Sequence, residues 1–399
     1  MSTFTRKQPP AVAVIRNDLQ ALEVMQALVP GFAREAARRD RERQLPHAEL
    51  EIFSGSGLWG ITVPGGYGGA DVSAETLVQV VSGVAQADSS LAHIPQNHFY
   101  ALEVLRVNGT EAQKQRLYAE VLAGARFGNA HAEFATPAAH ERTTQLSRDA
   151  SGYRINGQKF YATGALFADR IPTSVQDADG QTYFAFVHRE APGLTVIDDW
   201  SGFGQRTSGS GSVLFSNVPV TADDLVPFQS AFDRPTAVGP FAQILHAAID
   251  LGIARAAWSE TLATLNGFPQ PVAILPGGDH SPDLVLIGQL GVRLQAAELL
   301  LAKAARVLEQ ARKQPDEQRV ARASIAVAKA RAITTEVALT ASGRLFEVTG
   351  SPPAGMPVGF DRHWRNARTH TLHDPVRWKY HAIGNYYLND TLPPRRGTL

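Results

Sequence analysis

Residues 149–160 read Asp149-Ala150-Ser151-Gly152-Tyr153-Arg154-Ile155-Asn156-Gly157-Gln158-Lys159-Phe160. Two turn signals, 149–152 and Asn156-Gly157, flank a short alternating run. Glycine and asparagine supply the backbone freedom that tight turns need. The same texture runs from about Gly128 to Val226, with a further turn signal at Asp177-Ala178-Asp179-Gly180 and a second run at Tyr183-Phe184-Ala185-Phe186-Val187. This pattern predicts an antiparallel β domain in the middle of the chain.

On both sides the period changes to that of a helix. Towards the N-terminus, Leu19, Leu22, Val24, Met25, Leu28 and Phe32 recur at helical spacing, and helical segments are expected over 18–40, 48–54, 74–87, 91–107 and 114–123. Thr110-Glu111-Ala112-Gln113 and Asp88-Ser89-Ser90 have the composition of helix starts. Towards the C-terminus, 241–265, 284–314 and 317–346 are long and rich in Ala and Leu, as bundle helices are. Between the first two, Phe268 to Asp283 is rich in Pro and Gly and is expected to be a mobile lid. The order gives an α+β multidomain fold: a helical domain over 1–127, an antiparallel β domain over 128–238 and a helical bundle over 239–399. Clefts at domain junctions are the natural place for a ligand.

Composition narrows the function. The 399 residues carry 38 Lys+Arg against 38 Asp+Glu, so no global field gathers nucleic acid or an anionic membrane. Cysteine is absent, which removes disulfides, thiolate metal sites and cysteine nucleophiles. The N-terminus lacks the apolar core of a signal peptide, and no apolar run approaches the roughly 20 residues of a membrane span. A cytoplasmic protein with no nucleic-acid or membrane partner is expected.

Four motifs carry possible chemistry. Gly55-Ser56-Gly57-Leu58-Trp59-Gly60 matches G-x-G-x-x-G, but a helix precedes it and a strand-like 61–64 follows. That is the reverse of what a dinucleotide site needs, so the glycines are read as a tight turn. His370-Thr371-Leu372-His373 resembles a metal pair without a third ligand at recognisable spacing. It is read as two imidazoles for hydrogen bonding and proton transfer, with no metal. A helix-end pair holding backbone carbonyls is the plainer alternative. His93 and His98 lie on different faces of one helix, so at most one points into a given cleft. Arg362, Arg365 and Arg368 suit either phosphate or salt bridges between domains.

Tyr67-Gly68-Gly69, Asp88-Ser89-Ser90, Gly109 to Lys114, Asn156 to Phe160, Phe215 to Val220, Phe346 to Gly350 and Asp361 to Arg368 resemble, in order, the acyl-CoA dehydrogenase family. Gly128-Asn129-Ala130, Asp198-Asp199-Trp200 and Trp364 to Pro375 resemble its dibenzothiophene monooxygenase type and the sulfur-acquisition oxidoreductases of dimethylsulfone use. The resemblance implies a two-component monooxygenase. Reduced FMN, supplied by a separate flavin reductase, captures O2 and passes one oxygen atom to a small organosulfur or similar substrate. FAD is the alternative cofactor. A homo-oligomer is implied, by resemblance a tetramer.

The same resemblance implies roles residue by residue. His93, His370 and His373 are catalytic, with His373 donating a proton near the flavin's reactive edge. Asn129, Thr163, Trp200, Arg368 and His370 hold the flavin, while His93, Asn97 and Tyr161 line the substrate pocket. Asn97 stands where the dibenzothiophene enzyme has a tyrosine, and Val285 where an arginine meets the flavin phosphate in a neighbouring subunit. Dehydrogenation needs a carboxylate base, and the residue in register is Asp374, followed by Pro375. An FAD-dependent acyl-CoA dehydrogenase and a non-catalytic flavin-binding paralogue are the rival classes.

Overall fold

The structure is a computed structural model that describes residues 11–133, 143–150, 152–266, 282–349 and 359–396. Helices α1 (Asp18–Arg34), α2 (Ala36–Glu42), α3 (His47–Gly55), α4 (Ala74–Ala87), α5 (Ser89–Asn108) and α6 (Glu111–Leu122) form the N-terminal part. Strands β1 (Gln145–Asp149), β2 (Gly152–Lys159), β3 (Arg170–Gln176), β4 (Thr182–His188), β5 (Leu194–Ile197), β6 (Ser212–Val220) and β7 (Leu225–Pro227) follow. After the single turn α7 (Ser230–Asp233) come α8 (Val238–Asn266), α9 (Pro282–Lys313), α10 (Glu317–Thr349), α11 (Asp361–His370) and α12 (Val376–Asn389).

Helix ends follow their side chains. Asp88 caps α5 by accepting from the backbone N–H groups of Ser90 and Leu91. Its carboxylate also takes the buried guanidinium of Arg39 from α2. Thr110 and Gln113 satisfy each other's backbone in a capping box at the start of α6. The Asp88 bonds fix where α5 begins, and so the height at which His93 leaves it. α4 packs on α8, and α8 on α10, so one apolar core runs from the N-terminal helices into the bundle. Burying each Val, Leu or Phe there contributes about 1.5–3 kcal/mol.

The strands form one sheet in the order β5-β6-β2-β1-β3-β4-β7. It is mixed rather than purely antiparallel, because β1 meets β3 in parallel at Gln145 and Gln176. The turn signals at 149–152 and 177–180 sit at hairpins, and Asp177 Oδ1 accepts from the N–H groups of Asp179 and Gln181. Asn156-Gly157 is different: it lies inside β2, where the register against β6 slips. Gly157 has φ +146, and a Cβ there would lie 2.6 Å from Thr144 Cα. The dipeptide makes a bulge rather than a turn.

Other expectations change as well. Residues 61–64 form no strand but continue a turn that follows Gly57, whose φ is +83. The dinucleotide reading therefore has no strand on either side. α9 is long and apolar enough to cross a membrane by length and composition, contrary to the sequence reading. It packs along α10 and also touches α8 and α4. The lid expected at Phe268 to Asp283 lies outside the described residues, save that Pro282 and Asp283 already belong to α9.

Candidate functional site

A cleft of about 970 Å³ opens between α5, α8, the sheet and the turn after α11. One wall carries His93 and Asn97 from α5, Gln243 and His246 from α8, and His373 and Asp374 from that turn. The other carries Asn129, Tyr161, Thr163, Trp200 and Gln205.

The second wall is built by polar locks. Trp200 Nε1–H donates to the Gln205 carbonyl at 2.9 Å and fixes the indole. Ser208 Oγ–H donates to the same carbonyl at 2.8 Å. Ser208 and Ser210 hydroxyls are 2.7 Å apart, and Ser210 and Thr163 hydroxyls 2.8 Å. A carbonyl only accepts, so the chain has one direction: Thr163 donates to Ser210, Ser210 to Ser208, and Ser208 to Gln205. Thr163 is thereby left as an acceptor towards the cleft. Asn129 Nδ2–H donates to the Tyr161 carbonyl at 3.3 Å, where Tyr161 has φ +52. The segment docks on α11, where Asn366 Oδ1 accepts from Gln205 N–H at 2.7 Å. Gly204 permits this approach, since a Cβ there would lie 2.0 Å from the Arg365 carbonyl oxygen.

The histidine wall follows from helix spacing. On α8, Gln243, His246 and Asp250 lie three and then four residues apart, on one face. On α10, Arg331 and Thr335 repeat that spacing and both bind Asp250 Oδ2. α11 ends at His370, whose Nδ1 lies 2.5 Å from Asp250 Oδ1. His370 Nε2 lies 3.1 Å from His246 Nδ1. His373 Nδ1 lies 2.8 Å from the His370 carbonyl. The His93 ring stands 5.2 Å from that of His370 and 4.9 Å from that of His373. Both His93 nitrogens are buried without a partner.

Burial, as the largest cause, holds all four imidazoles below their usual range. The neighbouring rings and Arg331 push His93, His246 and His370 further down. Burial pushes the Asp250 carboxyl up to about 6, against the pull of Arg331. His373 is open to the cleft yet surrounded by these groups, so its ring too is neutral. Asp374 shares the cleft, with Oδ2 accepting from Gln243 Nε2–H at 2.8 Å and lying 3.8 Å from Lys379 Nζ.

The structure brings His93, Asn97, Asn129, Tyr161, Thr163, Trp200 and His373 to one cleft, and two expected residues stand elsewhere. His370 is fully buried and does not line the cleft; His246 stands in front of it. Arg368 does not line the cleft either. The arginine cluster around it serves salt bridges, with Arg365 on Asp40 and Asp361 and Arg362 on Glu260. Val285 lies exposed on α9. His98 faces away from the cleft, as one helix requires of residues five apart. Its Nε2–H donates to the Trp59 carbonyl and its Nδ1 accepts from Phe127 N–H.

Sequence reading missed His246, Asp250, Gln205 and Ser210. The signal for the first two was three polar residues at helical spacing in the otherwise apolar first half of α8, up to Ala254. The reason given against a metal, the lack of a third ligand, also falls: ligand atoms of His93, His246, His370 and His373 lie within 4.8 Å of one another.

Two family descriptions match the chain: acyl-CoA dehydrogenase N-terminal domain over residues 21–125 and C-terminal domain over 244–378. Dibenzothiophene monooxygenase of Mycolicibacterium goodii is 30% identical over 396 residues, covering 93% of this chain and 94% of that protein. A probable FMNH2-dependent monooxygenase of Pseudomonas putida is 30% identical over 384 residues, covering 94% and 96%. The FMN-bound crystal structure of TdsC from Paenibacillus sp. A11-2 superposes with TM-score 0.89 at 29% identity, covering 95% of this chain and all of that one. Methanesulfinate monooxygenase of Pseudomonas fluorescens gives 0.84 at 29% identity, covering 94% and 98%.

Proposed function

Since this chain belongs to the acyl-CoA dehydrogenase family, we propose that it is one of that family's flavin-dependent monooxygenases, using reduced FMN and O2 to oxygenate a small organosulfur or similar substrate. The observation that carries this reading is the facing of two walls. Neutral imidazoles stand on one, and a polar, tryptophan-bearing surface on the other. Dehydrogenation asks for a free carboxylate base. Asp374 is instead engaged by Gln243 and lies near Lys379.

The residues present fit a flavin. Gln205 is 1% exposed, lines the cleft, and leaves both its amide oxygen and its amide nitrogen without partners. A primary amide with adjacent donor and acceptor matches the alternating N–H and C=O edge of a flavin ring. Trp200 supplies an aromatic face. Thr163 supplies an acceptor, which suits a ring N–H. Bound reduced flavin supplies the electrons that activate O2, and the protein's part is binding, orientation and exclusion of water. His93, with two free nitrogens, and Asn97 face the space left for substrate.

Further parts of the reading rest on resemblance and on surface chemistry. A separate flavin reductase delivers FMNH2. A second copy of the chain, in a tetramer, covers the apolar faces of α9 and α12, where Val292 is 70% and Leu388 83% exposed. The test of the function is to mix the protein anaerobically with FMNH2, then admit O2 with a thioether or sulfone panel. Oxygenated product supports it. Tightly co-purifying FAD that acyl-CoA bleaches supports the dehydrogenase instead, and neither result supports the binding protein.

A further inference from the structure

We propose that Asp250, His370 and His246 form a proton relay that opens on the cleft at His246, a role no comparison assigns. The inference deepens the oxygenase reading and rests on it for its purpose, though not for its test.

The tautomers follow from partners that have no choice. Asp250 is a carboxylate bound at Oδ2 by Arg331 and Thr335, so Oδ1 accepts from His370 Nδ1–H at 2.5 Å. His370 Nε2 is therefore bare and accepts from His246 Nδ1–H at 3.1 Å. His246 lines the cleft, and Nε2 is the atom it has left to offer there. The chain is thus ordered from a carboxylate, through two rings, to a lone pair at the cleft. Such an arrangement of carboxylate behind imidazole holds the ring in one tautomer and takes up charge.

A proton arriving at His246 Nε2 forms a new N–H bond. His246 Nδ1–H then breaks as His370 Nε2–H forms, and His370 Nδ1–H breaks as Asp250 Oδ1–H forms. One proton has left the cleft, Asp250 is a neutral acid, both rings are neutral again, and no electron has moved. The reverse sequence returns the proton. Such a store serves oxygen-atom transfer, in which one proton leaves the oxygenated substrate and one is taken up by the oxygen left behind, by holding the proton between the two events.

Geometry explains why storage falls to Asp250. An imidazolium at His246 or His370, in a buried pocket beside Arg331, meets little water and a like charge. Asp250 gives up a charge on protonation, and its carboxyl already stands at about 6. Asp250 and His370 touch neither substrate nor cofactor, so both are positioning residues; His246 alone reaches the cleft.

The test uses ¹⁵N-histidine-labelled, flavin-free protein. In the wild type, His246, His370 and His373 should each give the Nδ1–H signature. In Asp250→Asn, Arg331 draws the amide oxygen and turns the amide NH2 towards His370. His370 and then His246 should invert to Nε2–H, while His373 keeps its signal. A merely structural Asp250 would lower Tm and leave His246 unchanged, which overturns the proposal, as does a wild-type His246 in the Nε2–H form. One equivalent of a co-purifying transition metal on these rings overturns it too. Should Asp250→Asn fail to fold, His246→Asn serves: its amide nitrogen stands where Nδ1 stood and still donates to His370, so the His370 signature should persist. Coupled product formation should drop at least tenfold with FMN affinity unchanged, and full coupled activity overturns the relay.

Discussion

His373 Nδ1–H donates to the carbonyl of His370, three residues back, at 2.8 Å. The bond leaves Nε2 as the only atom the ring offers the cleft, and in the neutral ring that atom accepts. Sequence reasoning cast His373 as a proton donor. The structure makes it an acceptor that donates only after taking a proton. Replacing it removes that acceptor without touching the flavin wall. His373→Ala should keep FMN affinity and lose coupled oxygenation by roughly 10²–10⁴-fold, the range for a positioned acid or base. Hydrogen peroxide release should rise. Asp374→Asn should do less harm. Product and peroxide measured for both under one FMNH2 supply decide the matter, and a dead Asp374→Asn beside a fully active His373→Ala reverses it.

The directional hydroxyl chain makes a second prediction. Thr163 accepts from the cleft because Ser210 takes its proton. Reduced flavin carries ring N–H groups that oxidised flavin lacks, so the wall should favour the reduced form. In Ser210→Ala the Thr163 hydroxyl is free to donate. The preference for FMNH2 over FMN should shrink by about three- to tenfold, the worth of one hydrogen bond. Anaerobic titration with each form reads it directly; an unchanged ratio removes Thr163 from this role.

Much of this was legible beforehand, for physical reasons. Long amphipathic periods fix helices, so the bounds of α4, α8 and α10 came within a few residues of their pattern. Asn156-Gly157 misled because a left-handed glycine serves a bulge as well as a turn, and only the partner strand distinguishes them. In the site, His93 and His373 could be placed because motif resemblance carries single residues. Asp250 could not, since its meaning arises only when α8, α10 and α11 meet. Arg368 misled because a guanidinium's partners are set by packing: its neighbours Arg362 and Arg365 found carboxylates.

Gln205 should show as a binding residue rather than a catalytic one. Its backbone holds the docking bond to Asn366, which Gln205→Ala preserves. Loss of two side-chain hydrogen bonds should weaken FMN by roughly 1–3 kcal/mol, about 5- to 150-fold. Flavin fluorescence titration reads this with no turnover, and unchanged affinity removes Gln205 from the flavin's edge.

The apolar face of α9 predicts assembly. Val292 and Leu299 are 70% and 63% exposed in the single chain. Light scattering at micromolar concentration should give a tetramer. Val292→Asp with Leu299→Asp should shift it to smaller species, because burying an unpaired charge at an interface costs several kcal/mol. A wild-type monomer defeats the proposal.

Acid should unfold the protein in two stages, and the sign can be worked from two groups. Burial holds His98 at about 3 against an ordinary 6.5. The unfolded chain therefore binds a proton that the folded one refuses, and stability falls as pH drops from about 6.5 towards 3. The neutral rings of His93, His246 and His370 act in the same direction. Glu133 is different in kind. Its Oε1 takes the buried Lys159 ammonium at 2.5 Å, and its Oε2 the Thr143 N–H at 2.6 Å. These partners hold it at about 2 against an ordinary 4.5, even though burial pushes the other way. Its contribution is complete above about 4.5 and is lost as pH falls towards 2. Removing its charge at neutral pH takes the Glu133 carboxylate from a lysine whose side chain is wholly buried and which keeps the Ser174 hydroxyl and the His131 carbonyl. Glu133→Gln should therefore cost about 1–3 kcal/mol, the worth of a hydrogen bond to a charged group. Part of the acid loss below 4.5 should vanish in that variant, while the loss beginning near 6.5 stays. Chemical denaturation across pH 3 to 8 for the two proteins measures both, and a variant with wild-type stability and an unaltered acid limb shows that Glu133 does not hold Lys159 in solution.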